Sequence, residues 1–364
     1  MRKFLRYLLL RPVRWATQKF SSRPERERVF KALDKLYADI ATHPGRKGPG
    51  ISFNQFDGKV IIFSDQHKGG RDGADDFVLA EKNYLAALDY YNQEGFFFVT
   101  LGDSEELWEN MLGKVKDSYP ETFEAEKKFV ARKSFVKVFG NHDLYWENDP
   151  FAWWQLKKIY NEEVKIYEGL VLEVKIGETP FHIFCTRGHQ GDAQSDGNWF
   201  SKFFVARIWA PFQAYLRINP NTAAYNNETK TLHNEIMYEW SARQKDLLLI
   251  TGHTHQPVFL SLTHIERLYK QLQYALKQND TTRISELQSE IKKRELEFSA
   301  VSVDYLQMKP SYFNSGCCCF IDGDITGIEI ESGYIRLIKW KKHNDSPQRE
   351  VLEEISLQEL ATAL

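Results

Sequence analysis

Lys59-Val60-Ile61-Ile62-Phe63-Ser64-Asp65-Gln66-His67 is a short apolar run that stops at a polar cluster. The run is bounded by polar residues and is rich in β-branched side chains. It predicts a strand covered on both faces. The same pattern recurs along the chain. Phe96-Phe97-Phe98-Val99-Thr100-Leu101 ends at Gly102-Asp103, and Ser134-Phe135-Val136-Lys137-Val138-Phe139 ends at Gly140-Asn141. Leu247-Leu248-Leu249-Ile250 ends at Thr251-Gly252-His253. Helical stretches lie between these runs, for example Phe77 to Asn92. Strands alternating with helices predict an α/β layered fold. In open α/β sheets, sites form beyond the carboxyl ends of the strands. Each of these ends carries Asp, His or Asn.

Composition narrows the class. The 364 residues suffice for one large domain with insertions or for two modest domains. Hydrophobic residues at 42% and charged residues at 27% fit an ordinary soluble globular chain. A formal net charge of -2 leaves no broad basic field, so nucleic acid is not an expected partner. Cys317-Cys318-Cys319 and the separate Cys185 form neither a disulfide framework nor a Cys-x-x-Cys metal clip. In a strand, Cys317 and Cys319 would share one face and Cys318 the other. They read as three small buried residues in a strand, and a reducing compartment fits them. No apolar run approaches the ~20 residues needed to span a bilayer. No leader-peptide pattern follows Leu8-Leu9-Leu10. The expected location is the cytoplasm.

Several segments depart from the strand–helix repeat. Residues 1–50 read as a basic, amphipathic helical segment. Arg2, Lys3, Arg6, Arg11, Arg14 and Lys19 interleave with Phe4, Leu5, Leu8, Leu9 and Trp15. Such a helix over residues 2–20 suits an anionic membrane surface, here the inner membrane face. A helix packed on the catalytic domain is the alternative. Residues 51–345 read as the catalytic domain, with residues 346–364 as a C-terminal tail or helix. Two insertions interrupt that domain. Residues 193–245 are rich in aromatics, from Trp199 to Tyr215, and read as a helical cap. Residues 263–299 space Ile265, Leu268, Leu272 and Leu276, then Ile284, Leu287 and Ile291, as two helical faces. Asn279-Asp280-Thr281-Thr282 separates them, which predicts an αα-hairpin.

Five polar clusters stand in order: Asp65-Gln66-His67, Gly102-Asp103-Ser104-Glu105-Glu106, Gly140-Asn141-His142-Asp143, Gly188-His189 and Gly252-His253-Thr254-His255. Each alone is a common turn or cap. Together and in this order they resemble the calcineurin-like metallophosphoesterase family, whose pattern is D-x-H, G-D-x-x-D/E, G-N-H-D/E, a later His, and G-H-x-H. The resemblance spans roughly residues 58–260 and the closing strands near 312–340. It implies a four-layer αββα sandwich with helical insertions and a site at one edge of the two sheets.

Carried over position by position, the resemblance implies two divalent metal ions. Asp65, His67 and His255 look like ligands of one. Asn141, His189 and His253 look like ligands of the other, and Asp103 like the bridging carboxylate. The chemistry agrees. Two dications about 3.5–4 Å apart need an anion between them, and a carboxylate can bridge where an imidazole cannot. In an extended segment, Asp65 and His67 point the same way, as do His253 and His255. Nitrogen and oxygen ligands without thiolate suit Mn, Fe or Zn, and argue against a structural zinc site. A water between the two cations would lose a proton and attack phosphorus in line. In the family the His matching His142 is a candidate general acid. Asp143 is a candidate to orient that His. Glu106 reads as a support behind the ligands. Arg187 reads either as a phosphate contact or as a paired surface charge.

The implied reaction is hydrolysis of a phosphodiester, phosphomonoester or pyrophosphate, with a small-molecule or lipid-linked phosphate as substrate. Gly191-Asp192 after His189, followed by a helical cap, is similar to the bacterial hydrolases of UDP-2,3-diacylglucosamine. That branch typically has Arg where this chain has His142. A non-catalytic scaffold on the same fold is the reading from another class, and retention of the full ligand set argues against it. The oligomeric state is not legible in the sequence.

Overall fold

In a computed structural model, residues 24–73, 75–108, 110–177, 179–191, 227–294 and 308–364 are described. Helix α1 (Arg26–Thr42) precedes strands β1 (Gly50–Asn54) and β2 (Lys59–Phe63). Helix α2 (Glu81–Gln93), β3 (Phe97–Leu101), α3 (Leu112–Ser118), α4 (Pro120–Ala131) and β4 (Phe135–Val138) follow. Next come α5 (Tyr145–Asn148), α6 (Ala152–Tyr160), β5 (Ile166–Tyr167), β6 (Gly169–Ile176) and β7 (Thr179–Thr186). The second half contains α7 (Asn227–Ala242), β8 (Leu247–Thr251), β9 (Val258–Phe259), β10 (Leu262–Thr263), α8 (His264–Gln278) and α9 (Thr281–Arg294). It closes with β11 (Tyr312–Asn314), β12 (Ile325–Glu331), β13 (Tyr334–His343), β14 (Ser346–Ser356) and α10 (Leu357–Ala363).

The strands build two mixed sheets, ordered β14-β13-β12-β2-β3-β4-β5 and β1-β6-β7-β8-β11-β9-β10. Side chains alternate across each strand, so each sheet offers an apolar face on both sides. Ile62, Val99 and Val138 from one sheet meet Leu172, Ile183 and Ile250 from the other. On the outer face of the first sheet, Ile61, Phe63 and Phe98 pack on Tyr84, Leu88 and Tyr91 of α2 and Phe129 of α4. On the outer face of the second, Val171, Phe184 and Leu249 pack on Val29, Leu33 and Ile40 of α1 and Trp240 of α7. Helix, sheet, sheet, helix is the expected αββα sandwich.

Topology positions the polar clusters. Strands β2, β3 and β4 are parallel neighbours, with Ile62 beside Val99 and Val99 beside Val136. Strands β7 and β8 are also parallel. The loops that follow these five strands therefore gather at one edge. The fourth cluster, Gly188-His189, follows β7, which the run-by-run reading of the sequence did not identify as a strand.

The structure redraws some segment boundaries. Residues 1–23 and 192–226, which hold most of the basic segment and the aromatic cap, lie outside the described residues. Helix α1 does not stand apart from the catalytic domain, because Val29, Leu33, Leu36 and Ile40 are buried in its core. Helix α7 falls within the segment expected as a cap. It instead covers the second sheet, through Ile236, Met237 and Trp240. Residues 346–364 are not a tail, since β14 pairs with β13 along its length before α10 begins. Residues 264–294 do form a helix pair, joined at Asn279, whose φ of 56° ends α8. Its first helix starts with a capping box, in which Thr263 and Glu266 bond reciprocally. Residues 295–299 lie outside the described residues.

Candidate metal centre

The backbone at the sheet edge is unusual. Asp65, His67, Asp103, His253 and His255 all have positive φ, between 50° and 75°. This left-handed region costs a non-glycine residue of order 1–3 kcal/mol where the structure enforces it, and such outliers gather at functional sites. The expectation that extended backbone points Asp65 with His67, and His253 with His255, the same way is therefore corrected. Sharp left-handed turns, not alternation along a strand, aim these side chains together. Glycine leaves room for the result. A Cβ on Gly252 would lie 2.5 Å from Asp65 Oδ2, and one on Gly140 would strike Asp103 Oδ1.

Hydrogen bonds lock the clusters to one another. Asp65 N–H donates to Gly102 O at 3.1 Å, and His67 N–H to Asp103 O at 2.9 Å. His142 N–H donates to Asp103 Oδ1 at 2.8 Å. His253 N–H donates to Asp65 Oδ2 at 3.1 Å. Gly252 N–H donates to Arg187 O at 3.2 Å. Each cluster is thus held by a neighbour far away in sequence.

The first predicted ligand group converges. His255 Nε2 lies 2.9 Å from Asp65 Oδ1. His67 Nε2 lies 3.7 Å from the same oxygen and 3.2 Å from His255 Nε2. Separations of this size suit donors sharing a dication bound at about 2.0–2.2 Å. Asp103 Oδ2 is close by, 3.8 Å from His67 Nε2. In the second predicted group, Asn141, His189 and His253 are all buried. Asn141 Oδ1 and His253 Nε2 are buried atoms with no hydrogen-bond partner. Orphaned buried polar atoms are costly, and a cation is one way to satisfy them. The donors of the first group therefore fit a divalent ion, and the second group offers buried nitrogen and oxygen donors of the kind that hold one.

Electrostatically the pocket is rich in buried acids. Burial disfavours the Asp65 carboxylate, but Arg187, His255 and His67 outweigh it and hold the group well below the usual range. Burial opposes charge on His67, yet Asp65, Glu106 and Asp103 raise it well above an ordinary histidine. Burial also opposes charge on Glu106, but His142 and His67 bring it down to about 2.

Glu106 is the hinge of this arrangement. Its Oε2 meets His67 Nδ1 at 2.9 Å and His142 Nδ1 at 2.7 Å. A carboxylate behind a ligand histidine fixes its tautomer and ring orientation. The role expected of Asp143 is therefore corrected. Its carboxylate turns away from the His142 ring and accepts the backbone N–H groups of Ser104 and Gly140. Burial, then Asp103 and Glu105, push Asp143 up to about 7. For Arg187 the surface-charge alternative is corrected. The residue is only 1% exposed, and Nη2 contacts both Asp65 Oδ1, at 2.7 Å, and Asp103 Oδ2. Its positive charge lies on the carboxylate oxygens that face the first ligand group.

Other participants were not singled out in the sequence. Trp108 stacks on His142, with ring centroids 4.7 Å apart and planes at 20°. His233, on α7, is buried with its ring centroid 4.8 Å from that of His253. Burial, then Arg187, lower His233 to about 4. Beneath the clusters, Lys68, Glu105, Lys137 and Glu126 form buried ion pairs: Lys68–Glu126 at 2.7 Å, Lys68–Glu105 at 3.2 Å and Lys137–Glu105 at 2.9 Å. Of these, only Glu105 stands in one of the five clusters. His233 reaches the site through tertiary packing.

The sequence model described as calcineurin-like phosphoesterase matches residues 58–257. No curated protein sequence matches the chain. Solved structures that resemble it include vacuolar protein sorting 29 from Cryptosporidium parvum, at TM-score 0.31 and 12% identity, covering 82% of this chain and 98% of that one. Another is a dimetal phosphatase from Danio rerio, at TM-score 0.35 and 9% identity, covering 83% and 100%.

Proposed function

The chain belongs to the calcineurin-like phosphoesterase family, and from its site we propose a dinuclear metal-dependent hydrolase of a phosphate ester or anhydride. One observation carries this reading. Asp65 Oδ1, His67 Nε2 and His255 Nε2 meet within 3.7 Å of one another, with Asp103 Oδ2 3.8 Å from His67 Nε2, while Asn141 Oδ1 and His253 Nε2 are buried without a hydrogen-bond partner. Asp65, His67 and His255 would hold one ion, Asn141, His189 and His253 the other, and Asp103 would face both. Two dications bound there supply Lewis-acid polarisation of phosphoryl oxygens and a lowered pKa for water.

The chain's own residues do the rest. Glu106 takes His142 Nδ1, so Nε2 is the nitrogen left to hold or release a proton at the leaving oxygen. Trp108 lies flat on that ring and limits its rotation. Arg187 offsets the repulsion between Asp65 and Asp103 and contacts no substrate in this reading.

A small-molecule phosphate is the first substrate class. A lipid-linked phosphate is the second, and one surface favours it. Phe151, Trp153 and Trp154 are exposed around the start of α6. Lys158 Nζ sits 3.5 Å from the Trp154 ring centroid, and Lys157 is beside it. Aromatics rimmed by lysine suit an anionic bilayer surface. Among the described residues, no helix is long and apolar enough to cross a membrane.

The test is hydrolysis of an activated phosphodiester and the matching monoester, with Mn, Fe or Zn and with chelator. Metal-dependent turnover of either supports the hydrolase. Two bound metals with no turnover would direct the search to lipid pyrophosphates presented on anionic vesicles. No bound metal and no turnover would overturn the proposal in favour of a scaffold.

A further inference from the structure

Cys317-Cys318-Cys319 was read from the sequence as part of a strand. The structure places it instead in the loop after β11, pinned between two of the polar clusters. Ser315 N–H donates to Thr251 O at 2.9 Å, and Cys318 N–H donates to Asp65 O at 3.1 Å. Thr326 N–H donates to Cys317 O at 3.0 Å. Among the described residues all the cysteines are free and buried. Cys318 faces the core between the first sheet and α2. Cys319 faces the candidate metal centre, with Sγ 3.8 Å from His255 Nδ1. That sulfur, a ring nitrogen of His67 and one of His255 all lie within 4.8 Å of one another.

The two histidines of the first ligand group therefore differ behind the ring. Each turns Nε2 toward Asp65 Oδ1 and toward the other. His67 has the Glu106 carboxylate behind its Nδ1, at 2.9 Å. His255 has thiols there: Cys319 Sγ at its Nδ1, and Cys317 also within hydrogen-bond reach of the ring. A ligand histidine usually donates its second N–H to a carboxylate, carbonyl or water, which holds the metal-facing nitrogen unprotonated. We propose that Cys319 is a positioning residue that, with metal bound, accepts the His255 Nδ1–H and so holds the ring with Nε2 turned toward the first metal.

This rests on the dinuclear reading above. Zn and Mn affinities are measured by chelator competition. Cys319→Ala should weaken one of the two sites about 10–100-fold, the usual effect of removing such a partner. The other site should be unchanged, and Cys319→Ser, whose hydroxyl can accept, should recover most of the loss. Cys318→Ala separates positioning from packing, since it should lower thermal stability yet keep both affinities. Wild-type affinity at both sites in a folded Cys319→Ala would overturn the proposal. Absence of metal binding in the wild type would overturn the dinuclear reading, and this proposal with it.

Discussion

The edge of the sheets and the α8–α9 hairpin follow opposite rules. In the hairpin each local choice agrees with the structure. Thr263 and Glu266 cap its start, Asn279 adopts a left-handed turn at its bend, and Leu268, Ala275, Leu287 and Ile291 pack on one another. At the sheet edge, local preference is overridden. Asp and His residues occupy left-handed backbone, carboxylates and imidazoles are buried, and atoms such as Asn141 Oδ1 lack partners. A chain holds such features only where surrounding packing dictates them and a ligand repays them. The difference separates a self-consistent structural element from a site assembled for chemistry.

The sharpest way to break that comparison is Asp103→Ala. It should remove metal binding and more than ~10³-fold of activity, beyond the usual loss from one electrostatic contact. Near-normal turnover would mean the buried carboxylates at the edge are structural, like the hairpin caps. Next is His142→Ala, with a loss of ~10²–10⁴-fold on esters with poor leaving groups and metals retained. Equal losses on good and poor leaving groups would remove His142 as the acid. Arg187→Met addresses stability. Without metal it should cost about 3–5 kcal/mol, because two buried carboxylates lose their cation. Denaturant unfolding with and without Zn should show metal restoring more stability to the variant than to wild type. The smallest effect belongs to the hairpin. Thr263→Ala should cost about 1 kcal/mol, as for other lost caps, with turnover unchanged. A fall in turnover would tie the hairpin to the site.

Much of this was legible because period and punctuation are local properties. The runs Lys59–Phe63 and Leu247–Ile250 announce buried strands, and the polar clusters after them are what such strand ends carry. The hairpin was legible for the same reason, its apolar spacing being helical. Strand β7 was harder, since its polar start, Thr179-Pro180, and its His182 blur the apolar run. Helix α7 was read as cap because its neighbours are aromatic, yet Ile236, Met237 and Trp240 bury against the second sheet.

By itself the sequence determined the layered α/β class, the order of the ligand clusters and the residue types able to hold two cations. Those follow from short-range pattern and from side-chain chemistry. The tertiary structure alone decided which group serves which. Glu106 rather than Asp143 backs His142, Arg187 turns inward onto Asp65 and Asp103, and Cys319 stands behind His255. Each is a contact across strands distant in sequence or a choice among adjacent polar residues. Left-handed turns and parallel strand register set such contacts, and neither is written in residue spacing.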